Sequence, residues 1–167
     1  MTAIKLIPST DPLLHRPAEK VDTTDLSSLK ALSKDLILVL FEHRCAGVSA
    51  QQIGVDMAAF AINVDGYPKV CFNPEIVASA VDMVKQGETC ATFPGLVLKV
   101  NRPDAVVVKY VNADGNEVTE HLDGEEARTW LHEYDHTVGI CFTDRVSKLS
   151  LGMANKKMMK AAKRGKK

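Results

Sequence analysis

The sequence predicts an α+β fold in which antiparallel strands pack around a C-terminal helix, with an amphipathic helix at the N-terminus. Three observations indicate this class: a helical leucine repeat in the first third, short apolar segments separated by turns in the middle, and a His-Glu-Tyr-Asp-His motif near the end. A helix, several strands and a second helix in that order are typical of α+β proteins. At 167 residues and 46% hydrophobic, the chain can form one domain with its own core.

The first element is an amphipathic helix that follows the polar run 22–25 and ends near His43 and Arg44. The run is rich in Asp and Thr, which are preferred at helix N-caps. The apolar residues recur at helical spacing: Leu26, Leu29, Leu32, Leu36, Ile37, Leu40 and Phe41. Such spacing places them on one face, which is expected to pack against the strands. His43 is then a helix-end residue rather than a ligand.

Short apolar segments bounded by turn residues predict the strands. They lie at 58–64, 70–72, 95–100, 105–111 and 117–122. The sequence Asn-Ala-Asp-Gly-Asn at 112–116 is a hairpin signal, so the last two strands are expected to be antiparallel neighbours. His121 falls in the last strand as an exposed residue, and His15 lies in the opening loop without an assigned role.

The last predicted helix, from Gly124 to Val138, carries the motif His132, Glu133 and His136. Residues i and i+4 lie on one helical face, so both imidazoles point the same way. Glu133 is placed to reach a water molecule as general base without binding a metal itself. A pair of histidines at this spacing also occurs on ordinary solvated helices, so the motif needs a further ligand to be specific.

No third ligand follows the motif. Beyond Glu133 the only acidic residues are Asp135 and Asp144, and Phe142 stands where one protease class has its third histidine. The best upstream candidate is Cys90, which lies in the polar, turn-rich stretch 87–95. Cys71 and Cys141 instead have apolar neighbours, and we interpret them as buried residues. A site with three protein ligands keeps one position open, as a catalytic metal requires.

Three motifs, in order, resemble the peptide deformylase family. They read Cys-Ala-Gly-Val-Ser-Ala-Gln-Gln at 45–52, Glu-Thr-Cys-Ala-Thr at 88–92 and Leu-His-Glu-Tyr-Asp-His at 131–136. The family's patterns are Gly-x-Gly-Leu-Ala-Ala-x-Gln, Glu-Gly-Cys-Leu-Ser and Gln-His-Glu-x-Asp-His. The flanking segments 11–18 and 144–147 are similar too. The resemblance covers roughly residues 4 to 150, and the spacing between motifs is intact.

The resemblance implies a metal-dependent hydrolase that removes the formyl group from the N-terminal methionine of nascent polypeptides and releases formate. It implies Cys90, His132 and His136 as metal ligands, Glu133 as the general base for a metal-activated water, and Gln52 with the backbone N–H of Ala91 as oxyanion donors. It also implies substrate contacts from Gly47, Val48, Glu88 and Arg128. The native ion it implies is Fe²⁺, while Zn²⁺, Ni²⁺ and Co²⁺ also suit one thiolate and two imidazoles.

The chain departs from the family pattern at several positions. Cys45 and Thr89 stand where the family has glycine, so a positive φ at either position would strain the backbone. Ala91 replaces a leucine and Glu125 an apolar residue near the substrate pocket. Leu131 replaces a glutamine, and Thr92 replaces a serine. We therefore expect the metal chemistry to be kept, whereas these replacements leave the side-chain preference for the substrate open.

The charge distribution suggests a separate role for the C-terminus. Nine Lys and Arg residues follow Asp144 and no acidic residue does, although the whole chain is neutral. We divide the chain into a catalytic domain at 1–150 and a basic tail at 151–167. The tail is expected to contact ribosomal RNA, the alternative being a solvated, partly disordered terminus. No secretory signal or apolar run of membrane-spanning length is seen, which predicts a cytoplasmic protein without a membrane partner. An organelle, or the host cytoplasm of a virus-encoded protein, is the alternative location. We also expect the protein to be a monomer.

Two other functions compete with deformylation. One is a metallopeptidase that cuts internal amide bonds, and the missing downstream ligand argues against it. The other is a metal-binding or ribosome-binding homologue without catalysis. The presence of both Glu133 and Gln52 argues against a pure binder, because binding alone requires neither residue.

Overall fold

The computed structural model describes residues 4–164. Three α-helices are present: α1 (Leu26–Glu42), α2 (Gly124–Thr137) and α3 (Lys148–Arg164). The strands are β1 (Gly47–Ser49), β2 (Ala59–Val64), β3 (Tyr67–Ser79), β4 (Met83–Glu88), β5 (Leu98–Pro103), β6 (Ala105–Val111) and β7 (Glu117–Asp123). Short 3-10 turns occupy Pro12–His15, Gln51–Ile53 and Phe142–Arg145. The predicted α+β class is confirmed.

The strands form one five-stranded antiparallel sheet, in the order β1-β2-β3-β6-β7, and a separate β4-β5 hairpin. The turn between β2 and β3 has positive φ at Asp65 and Gly66, which matches the twist of a tight hairpin. Register shifts occur in β3 between Phe72 and Glu75 and again between Ile76 and Ala78. An extra residue in a strand bends it, so these shifts curve the long β3 along β6.

Helix α1 begins at a well-formed cap and packs on the sheet. The Asp25 carboxylate accepts hydrogen bonds from the backbone N–H groups of Ser27 and Ser28, at 3.1 and 3.2 Å. The buried face contributes to a core cluster with β1 and β2 through Leu29, Leu32, Leu36, Val39 and Leu40. Leu26 and Phe41, which the repeat placed on the same face, are 44% and 49% exposed. They lie at the ends of the helix, where the body of the protein no longer covers them.

Helix α2 packs its apolar side on the sheet and so directs the motif away from it. Trp130 is fully buried and meets Phe60 of β2 edge-on, with the ring centroids 5.4 Å apart. The helix ends as predicted, with Gly139 at a φ of 78°. A Cβ at Gly139 would lie 2.5 Å from the carbonyl carbon of Arg16. Glycine is therefore required both by the backbone conformation and by the opening segment that crosses the helix end.

Two strands and the third helix were not predicted. β4 reads Met-Val-Lys-Gln-Gly-Glu and has only Glu88 buried, so it shows no alternation of apolar and polar residues. It is a strand because β5 pairs with it over its whole length, from Met83 opposite Pro103 to Glu88 opposite Leu98. β1 has three residues and is defined by its pairing with β2. Both depend on a partner rather than on local sequence.

Helix α3 is amphipathic and lies against the body of the protein. Leu151, Ala154 and Met158 pack on a cluster that includes Leu96 and Phe142. The opposite side is basic and exposed, with Lys156, Lys157, Lys160, Lys163 and Arg164. The predicted tail is thus a docked helix as far as Arg164, and residues 165–167 lie outside the described part. The domain boundary at residue 150 stays a prediction. None of the described helices is both long and apolar enough to cross a membrane.

Candidate active site

Three possible metal ligands meet beside helix α2. Cys90 lies in the turn after β4, and His132 and His136 lie one turn apart on α2. One ligand atom from each lies within 4.8 Å of the other two, and all three residues are buried. Cys90 Sγ is 3.5 Å from His136 Nε2. The structure thus brings together the ligand set inferred from the sequence, at a spacing that one ion can bridge.

The two imidazoles differ in protonation, because their pKa values are shifted in opposite directions. His132 Nδ1 donates to Glu88 Oε2 at 3.0 Å, which leaves Nε2 for an ion. Burial lowers the pKa of His136 well below its usual value, so this ring is neutral, as a ligand must be. Although burial opposes a charge on His132, hydrogen bonds with Cys90 and Glu88 raise its pKa to about 10. Binding an ion therefore has to release a proton from His132.

Glu88 is the centre of a buried charge network that orients His132. Arg102 binds it through two nitrogens, at 2.6 and 2.9 Å, and Arg128 Nη1 donates to it at 2.7 Å. Burial alone would raise the pKa of Glu88, but hydrogen bonds from His132 and Arg102 lower it to about 2. Arg102 also binds Asp135 of α2 at 2.8 Å. The network therefore joins the β4-β5 hairpin to the metal helix through fully compensated charges.

Glu133 lies at the bottom of the site with an unpaired oxygen. Its side chain is 3% exposed, and within residues 4–164 its Oε2 has no hydrogen-bond partner. Burial raises the pKa of Glu133 to about 7. Gly47 of β1 lies directly against it, since a Cβ there would fall 2.6 Å from Glu133 Cγ. A glycine is thus needed at position 47, because β1 approaches the Glu133 side chain closely. The raised pKa lets the Glu133 carboxyl group exchange a proton near neutral pH.

The Gln52 side chain is held so that its NH₂ group faces Cys90. Its Oε1 accepts a hydrogen bond from the backbone N–H of Ser49 at 2.8 Å, which fixes the amide orientation. Its Nε2 donates to Thr92 Oγ1 at 2.8 Å and to Cys90 Sγ at 3.4 Å. Gln52 is 1% exposed. A pre-oriented, buried donor next to the ligand sulfur is suited to bind a developing negative charge.

A cavity of about 350 Å³ opens over these residues. Its walls include most of the predicted site residues: Gly47, Gln52, Glu88, Cys90, Ala91, Arg128, His132 and Glu133. Two predicted residues do not line it. His136 is fully buried behind the cavity, and the Val48 side chain lies in the core beneath β1. Val48 would therefore contact a substrate through its backbone only. Glu88 and Arg128 line the cavity, but their charges are paired with each other.

The glycine replacements do not strain the backbone. Among the described residues, the non-glycine positions with positive φ are Arg44, Asp65 and Asn73, and neither Cys45 nor Thr89 is one of them.

The replacement at position 125 makes the cavity wall more polar than a pocket lined by apolar side chains. Glu125 lies on it and accepts a hydrogen bond from Gln86 of β4.

Arg102 is the important residue that sequence reasoning missed. It follows Leu98 and Val100 at the inward positions of β5, and it is 3% exposed. An arginine at a core-facing position of an alternating strand is rarely buried unless it is paired. That pattern could have predicted a buried ion pair at Arg102, although it could not identify the two carboxylates.

Comparison with known proteins identifies the family of this chain. The sequence model of the polypeptide deformylase family matches residues 4–151. This chain belongs to that family. Peptide deformylases from Agrobacterium fabrum and Thermotoga maritima are 33% and 31% identical to it, over 98% and 92% of this chain and 98% and 93% of their own.

Solved deformylase structures share the fold. The Legionella pneumophila enzyme has a TM-score of 0.87 at 31% identity and covers 99% of both chains. The Synechococcus elongatus enzyme, solved in complex with actinonin, has a TM-score of 0.87 at 31% identity and covers 93% of this chain and 85% of its own. The resemblance inferred from three motifs is therefore confirmed, and so is the assignment to an enzyme, a hydrolase of the deformylase family.

Proposed function

We propose that this deformylase is a metal-dependent hydrolase that removes the N-formyl group from the N-terminal methionine of nascent polypeptides. The observation that carries the proposal is the convergence of Cys90, His132 and His136 within 4.8 Å, with Cys90 and His132 at the wall of a cavity and His136 fully buried. The Glu133 carboxylate and the Gln52 amide line the same cavity. Ligands, base and oxyanion donor thus surround a space large enough for the end of a peptide.

The donor set fits a single divalent ion. A thiolate and two imidazoles, one of them oriented by Glu88, are ligands that Fe²⁺, Zn²⁺, Ni²⁺ and Co²⁺ accept, and we take Fe²⁺ as the native ion on family grounds. When bound, such an ion polarises oxygen and makes water a better nucleophile near neutral pH. Cys90, His132 and His136 would hold it, and the open position would face the cavity.

Glu133 is the group that moves the proton. Because its pKa is raised to about 7, the Glu133 carboxyl group can both accept and donate a proton at neutral pH. We infer that it accepts a proton from the attacking water and passes it to the amine nitrogen as the bond between carbon and nitrogen breaks. The hydroxyl group stays on the formyl carbon, and the products are formate and a free N-terminus.

Gln52 and the backbone N–H of Ala91 stabilise the negative charge on the formyl oxygen in this proposal. Gln52 Nε2 already points at Cys90 Sγ, and Ala91 directly follows Cys90 at the cavity wall. Because both donors are fixed before substrate arrives, they stabilise the transition state without reorganisation.

The wall of the cavity suggests a broader side-chain preference than for methionine alone. Ala91 is small, and Glu125 with its partner Gln86 presents polar atoms. We therefore infer that short polar side chains bind here at little cost. The protein would act as a monomer in the cytoplasm, on chains emerging from the ribosome, with the basic face of α3 as the ribosome contact.

The test is an assay with three matched peptides. One carries formyl-Met, the second acetyl-Met and the third a free N-terminus with the same sequence. We expect release of formate from the first alone and no internal cleavage of any. Cleavage inside the free peptide would support the metallopeptidase alternative, whereas formate release at the rate without enzyme would contradict deformylation. A formyl-peptide series that varies only the first side chain tests the polar preference.

A further inference from the structure

A second group of possible metal-binding side chains lies next to the segment that follows α2. His15, Cys141 and Asp144 each bring a ligand atom within 4.8 Å of the other two. The group forms where the 3-10 turn Pro12–His15 meets the segment that follows α2. It shares no residue with the ligand set at Cys90, and no step of the proposed reaction uses it.

Two of the three side chains are already held as metal ligands usually are. His15 Nε2 is hydrogen-bonded to the Ser9 carbonyl at 3.0 Å, and Asp144 Oδ2 accepts from the backbone N–H of Cys141 at 2.9 Å. Ligating histidines commonly donate their other N–H to a carbonyl, and ligating carboxylates are themselves hydrogen-bonded. Each residue keeps one further donor atom: the second ring nitrogen, the other carboxylate oxygen and the sulfur.

The group is reachable from one side. The Cys141 side chain is fully buried, and its sulfur lies 3.8 Å from the carbonyl oxygen of Leu14. His15 and Asp144 are both exposed. An ion can therefore approach through the imidazole and the carboxylate and meet the sulfur beneath them.

We propose that His15, Cys141 and Asp144 form a second metal site, which takes a divalent ion such as Zn²⁺ or Co²⁺. Nitrogen, sulfur and oxygen ligands in a set of three suit these ions and leave a fourth position for water. An ion here ties the opening segment to the segment that leads into α3. Burial raises the pKa of the Cys141 thiol to about 12, so an ion that binds here must displace the proton of this thiol.

The test uses Co²⁺ and the full-length, metal-depleted protein with Cys90→Ala. Cobalt bound to a thiolate gives a charge-transfer absorption, and in this variant Cys90 cannot supply it. We expect about one equivalent of Co²⁺ with thiolate absorption. Adding His15→Ala should remove that equivalent, and because His15 is exposed this change leaves the core intact. Adding Cys141→Ala should remove it as well.

A buried cysteine elsewhere supplies the control. Cys71 is as deeply buried as Cys141 but lies in β3, within the core of the sheet. Cys90→Ala with Cys71→Ala should keep the absorption. The site is refuted if Cys90→Ala shows no thiolate absorption, or if the absorption survives His15→Ala unchanged. If Cys90→Ala binds two equivalents, Cys90 is not the active-site ligand, and loss of one equivalent on His15→Ala still supports the second site.

Discussion

At the scale of single residues, the site works by compensating buried charge. Glu88 is 6% exposed yet ionised, because Arg102, Arg128 and His132 all donate to it. The same residue holds His132 in the tautomer that presents Nε2 to an ion. Within residues 4–164 the Oε2 atom of Glu133 has no hydrogen-bond partner, and burial is the largest cause of its raised pKa. Neighbouring carboxylates on one site thus differ in function because their surroundings differ.

Glu133→Gln should separate catalysis from metal binding. The amide fills the same space but cannot accept the proton, so turnover of a formyl-Met peptide should fall by roughly 10²–10⁴-fold. Bound metal, measured by elemental analysis, should stay at the wild-type level. Alanine at Cys90, His132 or His136 should instead lose metal and activity together. Near-normal turnover of Glu133→Gln would mean that another group moves the proton.

Gln52→Ala should lower kcat on the order of 10²-fold, the usual effect of a lost oxyanion donor, with metal content unchanged. Gln51→Ala is the matched control. Gln51 is its fully buried neighbour, but its amide binds the carbonyls of Leu13 and Arg16 and lies outside the cavity. That variant should lose stability and keep kcat. A rise in KM alone for Gln52→Ala would make Gln52 a simple substrate binder.

Arg102→Ala should be strongly destabilising, because buried Glu88 loses the partner that binds it through two nitrogens and buried Asp135 loses one of its two arginines. Breaking such a buried pair costs roughly 3–5 kcal/mol in free energy of unfolding, as measured by urea titration. Metal affinity should also fall by about 10–100-fold, since Glu88 no longer orients His132. Arg145→Ala is the control: Arg145 also binds Asp135, but its side chain is 43% exposed. It should cost little, and equal losses in both variants would contradict the positioning role.

At the scale of elements, the helices depend on their ends as much as on their faces. α2 ends at Gly139 because another residue would meet the backbone of Arg16. α1 starts at Asp25, whose carboxylate closes the first turn through Ser27 and Ser28. The strands depend on pairing with a neighbouring strand instead, since β4 is a strand only because β5 pairs with it.

The cap of α1 gives a pH prediction. Hydrogen bonds from Ser27 and Ser28 lower the pKa of Asp25 from 3.8 to about 2. A carboxylate with a lowered pKa stabilises the folded state above its unfolded pKa, and this contribution is lost as pH falls from 3.8 through about 2. Asp25→Ala should therefore lower the thermal midpoint at pH 7 and differ progressively less from wild type toward pH 2. Asp25→Ser keeps a cap oxygen without titrating, so its midpoint should stay above that of Asp25→Ala at every pH. A gap between wild type and Asp25→Ala that is constant with pH would refute the assignment.

At the scale of the whole molecule, charge is segregated. The body carries all the acidic residues, and every charged residue on the exposed side of α3 is basic. The inner side of the same helix completes a core cluster that also contains Cys90 and Phe142. Removing residues after Gly152 would therefore expose that cluster, and it is a poor test of what the charges do.

Neutralising the basic face is the sharper experiment. Glutamine at Lys156, Lys157, Lys160 and Arg164 should keep the helix docked and leave deformylation of a short peptide unchanged. It should abolish co-sedimentation with ribosomes at low salt, because phosphate contacts release counterions and weaken steeply with salt. Glutamine at the exposed residues Lys5, Lys20, Lys30 and Lys34 is the matched control. Equal co-sedimentation of both variants would show that α3 is not the ribosome contact.

Elements that depend on short-range patterns could be predicted from the amino-acid sequence. The α1 repeat, the β6–β7 hairpin and the histidine spacing on α2 depend on residues a few positions apart, so each was predicted closely. The ligand set followed once three motifs were read together. Only the tertiary structure decided which distant groups meet: Arg102 with Glu88 and Asp135, β4 with β5, and His15 with Cys141. The residues around a strand edge or a buried charge do not indicate its partner, because that partner is distant in sequence and is brought close by packing of the whole chain.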